Sequence, residues 1–115
     1  MNFYVGNYGA FDRMCARAVR SLKKKYSFIN LNLVVPYLTA EINDNKEQYY
    51  ADFDCILLAD IPETTPRRLG IIKCNEYMVK KSDYIICFVK YSWGVAAKTL
   101  EYAESKKHIK IINIS

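Results

Sequence analysis

Histidine, tryptophan, proline and glycine are all scarce in this chain of 115 residues: one His, one Trp, three Pro and four Gly. Four cysteines, Cys15, Cys55, Cys74 and Cys87, form no C-x-x-C pair, and His108 stands alone, so the ligand sets of structural zinc sites are missing. With no Gly/Ser-rich or Pro-rich stretch, no low-complexity run and no internal repeat, nothing reads as a linker or an array. The longest apolar runs, near Tyr84 to Val89 and Ile109 to Ile114, are far too short to cross a bilayer. The opening segment MNFYVGNYGAFDR lacks the basic start and apolar stretch of a secretory signal. Walker loop, G-x-S-x-G elbow and H-E-x-x-H motif are also absent, and no cofactor or metal is expected. A cytoplasmic protein with reduced thiols and no membrane partner is the expectation from these gaps.

What is present suits a single domain over residues 1–115. The apolar share is 51%, normal for a globular core, and a chain of this size buries enough surface to fold without covalent staples. The formal net charge is +5, and much of the excess falls in one stretch with Arg13, Arg17, Arg20, Lys23, Lys24 and Lys25. Aromatics do not interleave with these charges, so a solvated helix face is expected there rather than a nucleic-acid surface.

Hydropathy patterning reads as alternating strands and helices. Asn2 to Val5 is a short strand ending at a glycine. Asp12 caps a helix to about Tyr26, with Cys15, Ala18, Val19 and Leu22 facing inward. Leu31 to Tyr37 is the second strand, ended by Pro36. A polar stretch with a turn at Asn43 to Asn45 and a short helix near Lys46 to Ala51 leads to a third strand, Cys55 to Ala59. Thr65-Pro66 opens a helix to about Lys81, with Leu69, Ile72, Tyr77 or Met78 and Val79 inward. Asp83 to Val89 is nearly all apolar, the pattern of a central parallel strand buried on both faces. A helix from about Val95 to Ser105 and a strand from Ile109 to Ile114 close the chain. The pattern predicts an α/β, Rossmann-like, doubly wound parallel sheet of five strands in the order 3-2-1-4-5. Its ligand site is expected outside the carboxyl ends of strands one and four.

Two loops belong at that point. Gly6-Asn7-Tyr8-Gly9 follows strand one, where a glycine allows the backbone to approach a phosphate at the start of a helix. Ser92, Trp93, Gly94, Val95, Ala96, Ala97 and Lys98 follow strand four. There Ser92 caps the helix or binds a phosphate oxygen, the small residues admit a ligand to the amides, and Trp93 stacks on a base or lids the core. Glu101, two helical turns beyond Gly94, suits ribose hydroxyls. Asn75 is polar within an apolar-periodic turn, on a helix that also carries Arg67, Arg68 and Lys73.

The runs FYVGNYGAFDR and SDYIICFVKYSWGVAAKTLEYA together resemble the SLOG superfamily of Rossmann-like proteins, over nearly the whole chain. That group includes the "lonely guy" phosphoribohydrolases and stand-alone nucleotide-binding domains. The hydrolase branch reads P-G-G-x-G-T-x-x-E where this chain has Trp93 to Glu101. Gly94 and Glu101 fit, while Val95, Ala97 and Lys98 depart from glycine, glycine and threonine. The arginine-lysine pair of that branch is replaced by Cys74-Asn75. The resemblance therefore implies binding of a nucleotide or nucleotide-derived signal, ADP-ribose-like or cyclic, for sensing or sequestration. The alternative it implies is a nucleoside 5′-monophosphate phosphoribohydrolase in which catalytic Glu101 stabilises positive charge on the ribose or activates water. It also implies a homodimer or higher homo-oligomer, with which the ten tyrosines are compatible.

Overall fold

The computed structural model describes residues 1–115 as a mixed α/β chain. Its contacts divide it into two compact units, Met1–Glu63 and Thr64–Ser115. The first holds β1 (Asn2–Val5), α1 (Ala10–Lys23), β2 (Asn30–Val35), α2 (Ala40–Asp44), α3 (Lys46–Asp52) and β3 (Cys55–Leu58). The second holds α4 (Arg67–Lys81), β4 (Tyr84–Cys87), α5 (Val95–Glu104) and β5 (Lys110–Asn113). No helix is long and apolar enough to cross a membrane.

In the first unit, β1, β2 and β3 form a parallel sheet with β2 in the middle. β2 has a ladder on each side, and from Leu31 to Val35 every residue is buried. Leu31, Leu33 and Val35 join Ala16 and Val19 of α1 and Ile42 of α2 in the core. The one buried polar side chain, Asn32, donates from Nδ2 to the Phe3 carbonyl at 3.2 Å and to Asn2 Oδ1 at 3.3 Å, which meets the requirement that a buried amide be hydrogen-bonded. Helix α1 turns Ala16 and Val19 inward, an i, i+3 pair, while Ala18 and Leu22 lie on the exposed side. That differs from the inward set read from periodicity by about one residue's rotation.

In the second unit, β4 and β5 form a parallel pair, and Val79, Ala103 and Ile109 form its small core with Ile85, Tyr102 and Ile111 packed on them. The buried positions of α4 are Gly70, Cys74 and Val79. Of these Val79 is expected inward, whereas Leu69, also expected inward, is exposed. The double-sided burial expected of the Asp83 to Val89 run belongs to β2 instead. Tyr84, Ile86 and Phe88, alternate residues that share one face, are exposed. Among the cysteines Cys74 is fully buried, while Cys15, Cys55 and Cys87 are half-buried.

Candidate functional site

Gly6, Asn7, Tyr8 and Gly9 carry the chain from β1 into α1, which begins at Ala10, two residues before the expected cap. The reason lies in Asp12. Its carboxylate reaches back from the first turn, Oδ1 accepting from the Gly6 amide at 3.1 Å and Oδ2 from the Tyr8 amide at 3.2 Å. A negative group in the first helical turn is favoured by the helix dipole, and here it also fixes the preceding loop. Gly6 permits this approach, since a Cβ there would lie 3.3 Å from Asp12 Oδ1. Gly9, at φ −158°, is extended and makes no special conformational demand.

Beside this loop the first unit has an open cleft of about 480 Å³, within the range of small-molecule sites. One wall is α1, with Arg13, Arg17 and Arg20 at i, i+4 and i+7 on a single face. The other wall, from α2 and α3, brings Glu41, Asn45, Gln48, Tyr49 and Asp52. The arginines are not equivalent. Arg20 donates from Nε to the Asp52 carbonyl at 2.9 Å and lies 4.9 Å over the Phe53 ring, so its fork is spent on holding α1 to the end of α3. Arg13 and Arg17 are exposed and take no part in the Lys23–Asp54 salt bridge.

At the mouth of the cleft Asn7 meets the α2–α3 wall. The Tyr49 hydroxyl donates to Glu41 Oε1 at 3.1 Å and is also hydrogen-bonded by the Asn7 side chain. Partial burial, with Glu41 accepting its proton, raises the Tyr49 phenol above its ordinary value of 10.0. The cleft is therefore two-sided in charge: guanidinium groups on α1 face carboxylates and amides on α2 and α3.

The remaining expected site residues lie in the second unit. The Val89 backbone is clamped by Asn113, whose Oδ1 accepts from the Val89 amide at 3.1 Å and whose Nδ2 donates to its carbonyl at 3.0 Å. Beyond the clamp, Tyr91 and Trp93 stack with ring centroids 4.5 Å apart, and Trp93 is 70% exposed rather than a lid on a core. Ser92 is exposed and does not cap α5; the cap position is Gly94, at φ +94°, a conformation glycine adopts readily. Val95, Ala96, Ala97 and Lys98 form the first turn of α5, and Glu101 lies exposed further along it. Asn75 spans the two helices: its Nδ2 donates to Thr99 Oγ1 at 3.0 Å, and Thr99 donates to the Val95 carbonyl at 3.1 Å. Cys74 is wholly enclosed.

Sequence reasoning missed Asp12 as the partner of the glycine loop, and Arg13 and Arg17 as lining residues. Their i, i+4 spacing one turn after a glycine loop was the available signal, read instead as a solvated face. Glu41 and Tyr49 gave no signal, since their convergence on Asn7 depends on how α2 and α3 fold back over α1. The chain matches no known family in a scan of protein families, and no curated protein matches it.

Proposed function

We propose that the cleft of the first unit binds a phosphate-bearing nucleotide or nucleotide-derived ligand, for sensing or sequestration. The observation that carries this reading is the pair Arg13 and Arg17, exposed guanidinium groups one helical turn apart on the wall of a ligand-sized cleft beside the Gly6–Gly9 loop. Planar guanidinium forks match phosphate oxygens and bind them with charge-assisted hydrogen bonds. The opposite wall offers acceptors at Glu41 and donors at Asn45 and Gln48, suited to sugar hydroxyls and base edges. The SLOG resemblance belongs to the same proposal. So does the five-stranded order 3-2-1-4-5. In support, all three ladders are parallel, and β1 and β4 each have one unpaired edge.

Turnover of the ligand has less behind it. Glu101 has no arginine to work with at the hydrolase position, which Cys74 fills inside the core, and Asn75 is bonded to Thr99. Ligand is therefore expected back intact.

Calorimetric titration with AMP, cyclic AMP and ADP-ribose at low salt tests the reading. Binding is expected for at least one, and the double variant Arg13→Ala, Arg17→Ala is expected to lose about tenfold or more in affinity. Both side chains are exposed, so its melting temperature should stay near that of the parent. No binding at millimolar ligand, or undiminished binding by the double variant, refutes the assignment.

A further inference from the structure

We propose that Asp12 is a specificity-determining residue of the cleft, restricting it to ligands with a single phosphate group and discriminating against pyrophosphates. This rests on the reading of the cleft as a phosphate-ligand site. Its ground is the pair of hydrogen bonds that Asp12 makes to the loop. In open parallel sheets a pyrophosphate sits on the loop amides and first helical turn after the first strand. In this chain a carboxylate of the protein itself takes two of those amides, Gly6 at 3.1 Å through one oxygen and Tyr8 at 3.2 Å through the other. The bare backbone of Gly6 is what admits it, a Cβ there falling 3.3 Å from Oδ1. The loop is thus filled by an internal anion.

A pyrophosphate entering the loop meets a like charge, and reaches these amides only by displacing Asp12 and breaking two charge-assisted hydrogen bonds. A single phosphate held by Arg13 and Arg17, which line the cleft and take no part in the bonds from Asp12 to the loop, needs neither step. Two carboxylates on the opposite wall, Glu41 and Asp52, further disfavour a second phosphate that would extend across the cleft.

Titration of the 115-residue chain with AMP and ADP-ribose tests the proposal, since the two ligands carry similar net charge and long-range attraction largely cancels. The parent is expected to bind AMP about tenfold or more tighter than ADP-ribose. Asp12→Asn, which keeps one acceptor but loses the charge, is expected to close most of that gap by tightening ADP-ribose while AMP changes little. Asp12→Ser repeats the test with a smaller acceptor if the asparagine variant folds poorly. On the parent alone, the Gly6 and Tyr8 amide resonances should stay in place on adding AMP while the Arg13 and Arg17 Nε–H resonances move. Equal affinity of the parent for the two ligands, an Asp12→Asn variant that weakens both alike, or ligand-induced shifts at Gly6 and Tyr8 would each overturn it. Absence of binding by either ligand removes the phosphate-site reading together with this inference; binding without the preference removes this inference alone.

Discussion

Asp54 accepts the Leu31 amide at 2.7 Å and the Lys23 ammonium group, and so ties the end of α1 to the start of β2. The Lys23 hydrogen bond, then the Leu31 amide, hold the Asp54 carboxyl below its ordinary value of 3.8. A lowered value in the folded state means that this stabilisation is complete above pH 3.8 and is lost as the pH falls through the folded-state value. Both side chains are about a third exposed, so solvent screening limits the effect. Asp54→Asn is expected to cost about 1 kcal/mol at neutral pH. Melting curves taken from neutral to strongly acidic pH should show the parent and variant converging at the acid end; a constant gap would mean the carboxylate charge is irrelevant. Asp12 also uses a carboxylate to hold backbone amides, but at the rim of the cleft. Its part was illegible in the sequence for a simple reason. An aspartate near a helix start reads as a cap, and only the path of Gly6 to Gly9 turns it back toward the loop before the helix.

Among the elements, periodicity predicted existence better than orientation. All five strands and the helices α1, α4 and α5 lie close to where apolar spacing put them, because each has an apolar face to bury. The inward faces were harder. In α4 the buried positions are Gly70, Cys74 and Val79 rather than the larger Leu69, and a hydropathy pattern scores glycine and cysteine as weak signals of an inward face. Asn75 is bonded to Thr99 on α5, a pairing across 24 positions that no local pattern reveals. Asn75→Ala should therefore act on stability, lowering it by about 1 kcal/mol, and leave ligand affinity unchanged. Denaturant unfolding and calorimetric titration of the same variant separate the two roles. Unchanged stability with affinity lost by about tenfold or more would return Asn75 to the binding site.

At the scale of the whole chain, the proposed order 3-2-1-4-5 makes a claim about hydrogen bonds. A strand in a parallel sheet sends alternate amides to its two neighbours. β1 is paired with β2 from Asn2↔Asn30 to Val5↔Leu33, and β4 with β5 from Tyr84↔Lys110 to Cys87↔Asn113. These ladders account for only one edge of each strand. Unpaired edges carrying Tyr4, Tyr84 and Ile86 would be a template for pairing with another chain, and the exposed apolar face of Tyr84, Ile86 and Phe88 adds to that hazard. If β1 and β4 meet as proposed, both sets of alternate amides are bonded, and hydrogen exchange read by NMR should find every amide from Phe3 to Val5 and from Ile85 to Cys87 protected like those of β2. If instead every second amide in both strands exchanges at the rate of an open edge, the order ends at 3-2-1 and 4-5. The loop after β1 would then bind ligand, if at all, with the residues of the first unit alone. Arg13, Arg17 and the Asn7–Tyr49–Glu41 cluster all come from that unit, so the proposed binding does not depend on the five-stranded order.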